Sequence, residues 1–365
     1  MATGEGDWPA FQADAANTGH NQVATGPTDT AEERWRFEIG GYVGGPVVAG
    51  GIVYFSSTDG TVYALDAASG ASVWEEPLET EGGIFGSPLL ANSTVYVGAR
   101  GEADVYALDA ATGAVNWDIE IAGSVYGSPA VTDGTVYVCA MGYSELLDIN
   151  VYALDAATGD PIWETPFQVE DSILSTPAVA DSTLFVASTD SRVYALDATS
   201  GEPVWDDPFE AGDEVNSSPA VVDDIVYVGS NDSHVYALDA ASGDPVWEIP
   251  FETGNAVLGS PAVADGTVYV GSNDSHIYAL DAASGDPVWE TPFQTADRVP
   301  GSPVVVDEVV YAGSTDTNVY ALDAATGNSV WEAPFKTKGA VASSPAVANR
   351  TLYVGSWDGN VYAIE

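Results

Sequence analysis

Side chains that could do chemistry are few in this chain, and basic ones are the scarcest. Lysine and arginine total 8 against 55 aspartate and glutamate residues, which gives a formal net charge of −47. Three of the basic residues, Arg298, Lys336 and Lys338, fall close together late in the chain. Such a group predicts a site for a small anion or for an acidic segment of a partner. The alternative is pairing with nearby acids such as Asp297, which would leave no site.

Histidine and cysteine give weak signals of metal or nucleophilic chemistry. His234 and His276 stand 42 residues apart, at equivalent positions of a repeat. Two imidazoles without a third ligand do not predict a metal site. Cys139 is the only cysteine, so it forms no intrachain disulfide, and we predict that it is a small core residue. No Ser-His-Asp arrangement, phosphate-binding glycine loop or paired-cysteine motif occurs, so we assign no catalytic residue.

One repeated stretch must position whatever side chains are functional. Its clearest copy is Tyr236-Ala-Leu-Asp-Ala-Ala-Ser-Gly-Asp-Pro-Val-Trp247, and from Tyr152 to Tyr362 the copies recur every 42 residues. Valine, isoleucine, tyrosine and tryptophan favour strands, while the intervening Asp-Gly, Asn-Asp and Ser-Gly pairs favour turns. No segment has a helical hydrophobic period. The repeat therefore predicts an all-β protein, a β-propeller with one four-stranded antiparallel blade per repeat.

The chain ends predict the number of blades and how the ring closes. First strands begin near eight prolines, which are Pro46, Pro88, Pro129, Pro177, Pro219, Pro261, Pro303 and Pro345. The segment 34–37 matches a fourth strand that lacks its first three, and residues 344–364 supply three strands that lack a fourth. We predict that these segments complete one blade together and so hide a sheet edge. Seven blades are the alternative if one repeat is degenerate.

The domain division follows from the same pattern. Residues 1–33 stand outside the repeat and are predicted to form an arm packed on the ring, and residues 34–365 are predicted to form a single propeller. A tryptophan ends each repeat, and we predict that each docks flat against the next blade rather than stacking on a ligand. These residues are Trp35, Trp74, Trp117, Trp163, Trp205, Trp247, Trp289 and Trp331.

One position of the repeat varies strongly while its neighbours do not. It precedes the Gly/Ser–Ser/Thr–Pro element in loops that should rim one mouth of the channel, and it reads Val43, Phe85, Tyr126, Leu174, Asn216, Leu258, Pro300 and Ala342. Candidate rim binding residues are therefore Phe85, Tyr126 and Asn216, together with the three basic residues above. Neutral variation at an exposed rim is the alternative. Longer loops at Arg100–Asp104 and Met141–Asn150 are either further binding loops or unselected drift.

Composition limits the partners and the location. An acidic surface is typical of salt-adapted proteins, and because the acids are spread over every repeat we favour this interpretation over cation binding. A phosphate backbone needs a basic track, so nucleic acid is excluded as an expected partner. No transmembrane run or signal sequence is visible. We expect a monomer outside the cell or anchored at its surface, with a cytoplasmic location as the alternative.

The motif Ala-x-Asp-x-x-x-Gly-x-x-x-Trp resembles the quinoprotein-type repeat. It stands at Ala64, Asp66, Gly70 and Trp74 and recurs through Ala321, Asp323, Gly327 and Trp331. The opening Trp8-Pro9 and the later Asn17-Thr18-Gly19 are similar to the start of these proteins. The resemblance covers Asp7 to Glu365. It implies an eight-bladed propeller with a tryptophan-docking girdle, as in pyrroloquinoline-quinone dehydrogenases and in the propeller lipoprotein of bacterial outer-membrane assembly.

The resemblance also implies what an enzyme of this type would need. Family enzymes hold calcium with side-chain oxygens, use an aspartate base and often have a disulfide of adjacent cysteines, so pyrroloquinoline quinone (PQQ) and Ca²⁺ are the implied cofactors. Here the first strands read Pro-Val-Val, Pro-Leu-Leu and Pro-Ala-Val, and one cysteine cannot form that disulfide. We expect a non-catalytic, haloarchaeal-type scaffold that binds a protein or a small anion and holds no cofactor. The alternatives are a PQQ- and calcium-dependent dehydrogenase or its degenerate relative, and a ligand-sensing domain.

Overall fold

Eight antiparallel sheets, each one blade, make up the structure, a computed structural model that describes residues 6–28, 31–101, 105–141 and 149–365. Within these ranges there are 33 strands and no helix. The chain is an eight-bladed β-propeller, which confirms the predicted fold and makes the seven-bladed alternative wrong. The described part of the chain also contains no helix of the length and hydrophobicity needed to span a membrane.

Except in blade 8, the strands of each blade run in chain order from the channel outwards. Blade 1 contains β2 (Val47–Ala49), β3 (Ile52–Ser56), β4 (Thr61–Asp66) and β5 (Leu78–Glu79), and blade 2 contains β6 (Leu89–Ala91), β7 (Thr94–Gly98), β8 (Val105–Asp109) and β9 (Val115–Ile119). Blade 3 contains β10 (Ser124–Val125), β11 (Ala130–Thr132), β12 (Thr135–Met141), β13 (Ile149–Asp155) and β14 (Phe167–Val169). Blade 4 contains β15 (Ala178–Ala180), β16 (Thr183–Ala187), β17 (Arg192–Asp197) and β18 (Phe209–Glu210).

The second half of the ring follows the same plan. Blade 5 contains β19 (Ala220–Val222), β20 (Ile225–Gly229), β21 (His234–Asp239) and β22 (Phe251–Glu252), and blade 6 contains β23 (Ala262–Ala264), β24 (Thr267–Gly271), β25 (His276–Asp281) and β26 (Phe293–Gln294). Blade 7 contains β27 (Val304–Val306), β28 (Val309–Gly313), β29 (Asn318–Asp323) and β30 (Phe335–Lys336). Blade 8 contains β31 (Ala346–Ala348), β32 (Thr351–Ser356), β33 (Asn360–Ile364) and β1 (Glu33–Glu38).

The ring closes through β1, the strand nearest the start of the chain. It pairs antiparallel with β33, with Trp35 opposite Ala363 and Phe37 opposite Val361. Blade 8 thereby gains the fourth strand that the C-terminal segment lacks. The pairing hides an edge that would otherwise expose unpaired backbone groups. The predicted closure is confirmed.

The sequence predicts a continuous fourth strand past each tryptophan, from Asp244 to Phe251 in blade 5, and the structure differs from this prediction in six blades. In blade 5 Phe251 lies opposite Val235 and follows Trp247 by four residues, whereas in blade 2 Ile119 lies opposite Val105 and follows Trp117 by two. The longer spacing occurs where a proline precedes the paired residue, at Pro77, Pro166, Pro208, Pro250, Pro292 and Pro334. Proline has no N–H to donate to the neighbouring strand. The outer strand therefore bulges beyond each tryptophan and re-forms for only two or three residues.

Seven of the eight tryptophans contact the next blade in one repeated geometry. In blade 5 the indole Nε1 of Trp247 donates to the Ala282 carbonyl at 3.0 Å, and the Tyr227 hydroxyl donates to the same oxygen. Gly285 packs on the indole face, where an added Cβ would lie 2.8 Å from Cδ2 of Trp247. The glycine is needed both for this approach and for its φ of 78°. Trp331 is the exception, because it donates to the Pro27 carbonyl of the N-terminal arm.

The N-terminal arm, residues 7–27, closes one end of the channel. Its carbonyls accept backbone N–H bonds from seven blades, from Val48, Leu90, Val179, Val221, Val263, Val305 and Arg350. The Asn17 amide donates to the carbonyls of Thr176, Pro177 and Pro219, which belong to two neighbouring blades. Without the arm, these backbone N–H groups around the ring would lack a hydrogen-bond partner. The arm therefore acts as a plug of the channel as well as a packing element.

The acidic surface predicts a dependence of stability on salt. The part of the chain that the structure describes has three ion pairs between arginine and a carboxylate, at Arg34–Glu365, Arg36–Glu33 and Arg192–Glu170. Most of the 55 acids therefore repel one another. Because the Debye length falls from about 10 Å at 0.1 M to about 3 Å at 1 M salt, we expect the melting temperature to rise by several degrees over this range of KCl. Calorimetry tests this, with equimolar sucrose as the uncharged control, and an unchanged melting temperature in KCl would contradict it.

Candidate functional site

The channel opens at the end opposite the arm as a cavity of about 260 Å³. Phe11 of the arm lines it, and so do all eight residues of the variable position. The loops that join one blade to the next hold those residues at the mouth. The structure therefore gathers the variable residues, which the sequence places some 42 positions apart, around one opening.

A ring of hydroxyl groups lies in the cavity wall beneath the mouth. Its members are Ser87, Ser128, Thr176, Ser218, Ser260, Ser302 and Ser344. Neighbouring blades are linked through it, since the Ser218 N–H donates to Ser260 Oγ at 2.8 Å and the Thr176 N–H donates to Ser218 Oγ at 2.9 Å. Each such bond occupies an oxygen lone pair and leaves the hydroxyl proton free to donate. The wall is therefore polar but uncharged.

Phe85 and Tyr126, both predicted as rim binding residues, lie together at the mouth. Their ring centroids are 5.2 Å apart with an interplanar angle of 31°, and the Phe85 side chain is 42% exposed. The Arg100 guanidinium carbon lies 5.7 Å from the Phe85 centroid and 5.3 Å from the Tyr126 centroid. This geometry suits a cation–π interaction with both rings. Sequence reasoning noted Arg100 only as part of a longer loop and did not connect it with the aromatic pair.

A second aromatic pair, Tyr42 and Trp357, lies at the seam between blades 8 and 1 and was missed from sequence. The ring centroids are 5.5 Å apart at 43°, and the side chains are 54% and 52% exposed. Trp357 lines the cavity. A signal was present, because the positions spaced by 42 residues before Trp357 hold Thr315, Asn273 and Asn231. A tryptophan that replaces the small polar residues of these three blades marks a position with a different role.

Asn216 lines the same mouth, and its surroundings are polar. Its Nδ2 donates to Glu214 Oε2 at 3.2 Å, and the same carboxylate oxygen accepts from Asn231. Asn216 Oδ1 is buried and has no hydrogen-bond partner in the described protein. Val43, by contrast, is buried and packs where a Cβ on Gly355 would lie. The variable position of blade 1 therefore contributes less to the exposed rim than those of blades 2 and 3.

The three basic residues predicted to form an anion site are exposed and do not line the cavity. The Arg298 carbonyl accepts the backbone N–H of Thr315. Lys336 of β30 lies opposite Asn318 of β29, and the backbone N–H of Lys338 donates to the Asp358 carboxylate. Within the described ranges none of the three side chains has an ion pair. The structure thus separates them from the aromatic mouth, and a role for them in anion binding stays a prediction.

The histidine column and the cysteine have local partners. His234 Nδ1 lies 3.3 Å from Asp232 Oδ1 of its own turn, and His276 repeats this contact with Asp274. No group of three or more potential metal-ligating side chains occurs among the residues that the structure describes. Cys139 is buried, and burial raises the pKa of its thiol well above the usual range, which leaves it unreactive at neutral pH.

The two loops singled out from sequence are only partly described. Arg100 and Gly101 belong to the described structure, and residues 102–104 lie outside it. Met141 ends β12, and Ile149 and Asn150 begin β13. Residues 142–148 of the blade 3 loop lie outside the described ranges, so the prediction of a binding loop there stays untested.

The cavity wall does not fit the calcium site of a quinone enzyme. Among the described residues that line it there is no aspartate or glutamate. Asn216 provides the one side-chain amide of this set, and the other side-chain oxygens belong to hydroxyls. Calcium in proteins prefers six to eight oxygen ligands, with carboxylates prominent among them. A lining of serine and threonine lacks the negative charge that would hold the ion, so we assign no reaction step to this cavity.

Comparison with known proteins places this geometry among related propellers. The family model described as "Outer membrane protein assembly factor BamB" matches residues 9–76, 58–151 and 190–365. No curated protein sequence matches the chain. Among solved structures, BamB from Moraxella catarrhalis is 21% identical with a TM-score of 0.73, covering 92% of this chain and 100% of that one.

Dehydrogenases share the fold as well. The quinohemoprotein alcohol dehydrogenase from Comamonas testosteroni is 17% identical with a TM-score of 0.81, covering 98% of this chain and 80% of that one. A europium-containing methanol dehydrogenase is 16% identical with a TM-score of 0.80, covering 98% and 91%. At these identities the likeness shows the fold alone. The family match, which spans most of the chain, shows more: the protein belongs to the PQQ-type β-propeller family described as outer membrane protein assembly factor BamB.

Proposed function

We propose that the protein is a non-catalytic binding module that holds a protein partner on the open mouth of its channel. The observation that carries the proposal is the aromatic rim, formed by the exposed Tyr42, Phe85 and Trp357 and the half-buried Tyr126 with Arg100. These are the residue types enriched at the centres of protein interfaces, where acidic residues are depleted. In a chain of net charge −47, a mouth whose described lining residues include no carboxylate is a surface suited to a partner.

The fold supports a docking role for the open face of the ring. The arm seals the opposite end through bonds to seven blades, while the rim loops vary from blade to blade on a constant strand framework. A rigid ring orders few residues on binding, so little conformational entropy opposes association. The family description and the solved BamB structure name an assembly factor, which agrees with a scaffold that acts through contacts.

The proposal includes a location outside the cytoplasm of a salt-adapted cell. An acidic coat with few bases stays soluble where salt screens its self-repulsion. The family description refers to the outer membrane, which supports an exported protein. The aromatic rim would then retain its affinity at high salt, because aromatic packing depends less on ionic strength than surface ion pairs do.

Capture of partners with matched variants tests the proposal. Immobilised wild-type protein and the double variant Phe85→Ser/Tyr126→Ser are exposed to a cell-envelope extract at high salt, and bound proteins are quantified. Removing two central aromatic side chains is expected to weaken a rim-bound partner at least about tenfold. The control is Val204→Ser/Val288→Ser, which changes two valines that are each 40% exposed and lie away from the mouth.

The outcomes separate a specific rim from a sticky surface. Proteins that are lost with the aromatic variant and kept with the valine variant support the proposal. If all variants capture the same proteins in the same amounts, the rim is not the docking surface. Circular dichroism and melting curves of both variants check that the fold is retained.

A further inference from the structure

We infer that the Tyr42–Trp357 pair, together with Asp59, is a receptor for an arginine side chain of the partner. The inference rests on the proposed protein-binding role of the rim and names the chemistry it recognises. It depends on three observations: an open aromatic pair, a carboxylate with a free oxygen beside it, and an internal arginine that already binds a pair of the same kind.

The aromatic pair has no visible structural task. At the equivalent positions of blades 4 and 7 the side chain bonds to the loop that enters its own blade: Thr189 Oγ1 donates to Ser172 O, and Thr315 Oγ1 donates to Arg298 O. Trp357 keeps the backbone part of this contact, its N–H donating to Ala340 O at 2.8 Å. Its indole projects instead over Tyr42, with about half of each side chain exposed. An exposed ring costs hydrophobic burial unless a partner covers it.

Asp59 differs from its counterparts in blades 4 to 8. At Asp190, Asp232, Asp274, Asp316 and Asp358, Oδ2 accepts the hydroxyl of the tyrosine four residues later. Asp59 Oδ1 accepts the Thr61 N–H, but for Oδ2 the described residues provide no hydrogen bond. A Cβ on Gly40 would lie 2.5 Å from that oxygen, so the Asp59 carboxylate lies beside Gly40. Gly40 precedes Tyr42 by two residues in the chain. The carboxylate is exposed and has an oxygen available to a donor.

Arg100 shows how this rim binds a guanidinium. It occupies the position equivalent to Trp357, since its N–H donates to Gly83 O as that of Trp357 does to Ala340 O. Its guanidinium lies over Phe85 and Tyr126 of adjoining loops. The Tyr42–Trp357 pair, at the seam between blades 8 and 1, offers a similar pair of rings without a cation from this chain over them in the described structure. A second guanidinium, supplied from outside, would complete the pattern.

An arginine fits this site better than other cations. Its planar group stacks on aromatic rings while its N–H groups donate to a carboxylate such as Asp59, whereas lysine presents a compact, strongly hydrated charge. The field of a chain with net charge −47 would also attract a basic segment and raise its association rate. The expected occupant is therefore an arginine-bearing segment of a protein partner.

Fluorescence of Trp357 provides a direct test. Eight of the ten tryptophans are buried and Trp117 is partly buried, whereas Trp357 is 52% exposed. Acrylamide quenching of the full-length protein therefore reports mainly on Trp357. A short peptide with two arginines among neutral residues is expected to protect this tryptophan saturably. The matched lysine peptide should bind about tenfold more weakly, and the citrulline peptide should give no protection.

Variants assign the effect to the proposed residues. Asp59→Asn should lower the affinity for the arginine peptide about three- to tenfold, as measured by calorimetry. The control Asp244→Asn, which removes one carboxylate from the outer surface, should leave this affinity unchanged. Trp357→Ala should abolish binding. Equal affinity of the arginine and lysine peptides, or no loss with Asp59→Asn, would overturn the inference and leave only general attraction to an acidic surface.

The inference and the proposed function fail in distinguishable ways. If partners depend on Phe85 and Tyr126 but bind normally to Asp59→Asn and Trp357→Ala, the rim docks proteins and the arginine receptor is wrong. If no captured protein depends on the rim while the arginine peptide still binds selectively, the receptor stands and the proposed docking role fails.

Discussion

Replacing Trp8 with alanine is expected to lower the free energy of unfolding by about 3–5 kcal/mol. The side chain is 1% exposed and packs in the core cluster that joins blades 1, 7 and 8. The Trp8 backbone exchanges both of its hydrogen bonds with Val48, at 2.6 and 2.7 Å. Loss of the indole leaves a cavity at the point where the arm begins its path across the channel. Because the arm satisfies donors in seven blades, its loosening should be felt around the ring.

Chemical unfolding followed by circular dichroism measures this change without relying on tryptophan emission. The matched control is Trp357→Ala, which removes the same side chain from a site that is 52% exposed. That variant is expected to change the free energy of unfolding by less than about 0.5 kcal/mol. Equal losses in the two variants would show that the arm is not anchored as described. A loss confined to Trp8→Ala supports the arm as part of the folded unit.

The blades were predictable because what forms them is local and repeated. The Asp223-Asp224 turn has φ values of 51° and 62°, as a tight hairpin requires, and aspartate tolerates this conformation. The ring closure was also predictable. The start of the chain has a fourth strand without its first three, the end has three strands without a fourth, and pairing the two segments completes one blade. In both cases the pattern along the chain reports directly on hydrogen bonds within a blade.

The path of the arm across the ring could not be predicted from the sequence, for a physical reason. Residues 7–27 bond to the ring mainly through backbone carbonyls, and backbone groups carry no signature in residue type. Asn17 is a partial exception, because a buried amide with φ of 55° and three carbonyl acceptors needs this side chain. The sequence showed an aromatic, turn-forming segment and thus an arm, but not a plug.

The rim was predicted in part. The variable position identified Phe85 and Tyr126 because both stand at a fixed offset from a proline. Arg100 and Tyr42 do not stand at that position of the repeat. Their contacts at the rim depend on how their loops fold over the mouth. The bulged outer strand is a third case, in which the tryptophan pattern predicted continuity and the proline beside Phe251 prevented it.

Replacing Gly285 with alanine is expected to lower the free energy of unfolding by about 2–4 kcal/mol. The new Cβ would lie 2.8 Å from Cδ2 of Trp247, a ring that is 2% exposed and held by its bond to Ala282. A buried indole cannot move away without breaking that bond, so the two blades must separate slightly. The φ of 78° at Gly285 adds backbone strain for any residue with a side chain.

Gly266→Ala in the same blade separates these two causes. Gly266 has a φ of 75°, close to that of Gly285, but an added Cβ would meet nothing within 4 Å. The decrease in the free energy of unfolding of Gly266→Ala should therefore report backbone strain alone, about 1–2 kcal/mol. The excess loss in Gly285→Ala, measured by urea unfolding of both variants, is then the contribution of tryptophan docking between blades 5 and 6. If the two variants lose equal stability, the close approach of Gly285 to Trp247 is not what holds adjacent blades together, and the girdle must depend on the indole hydrogen bond instead.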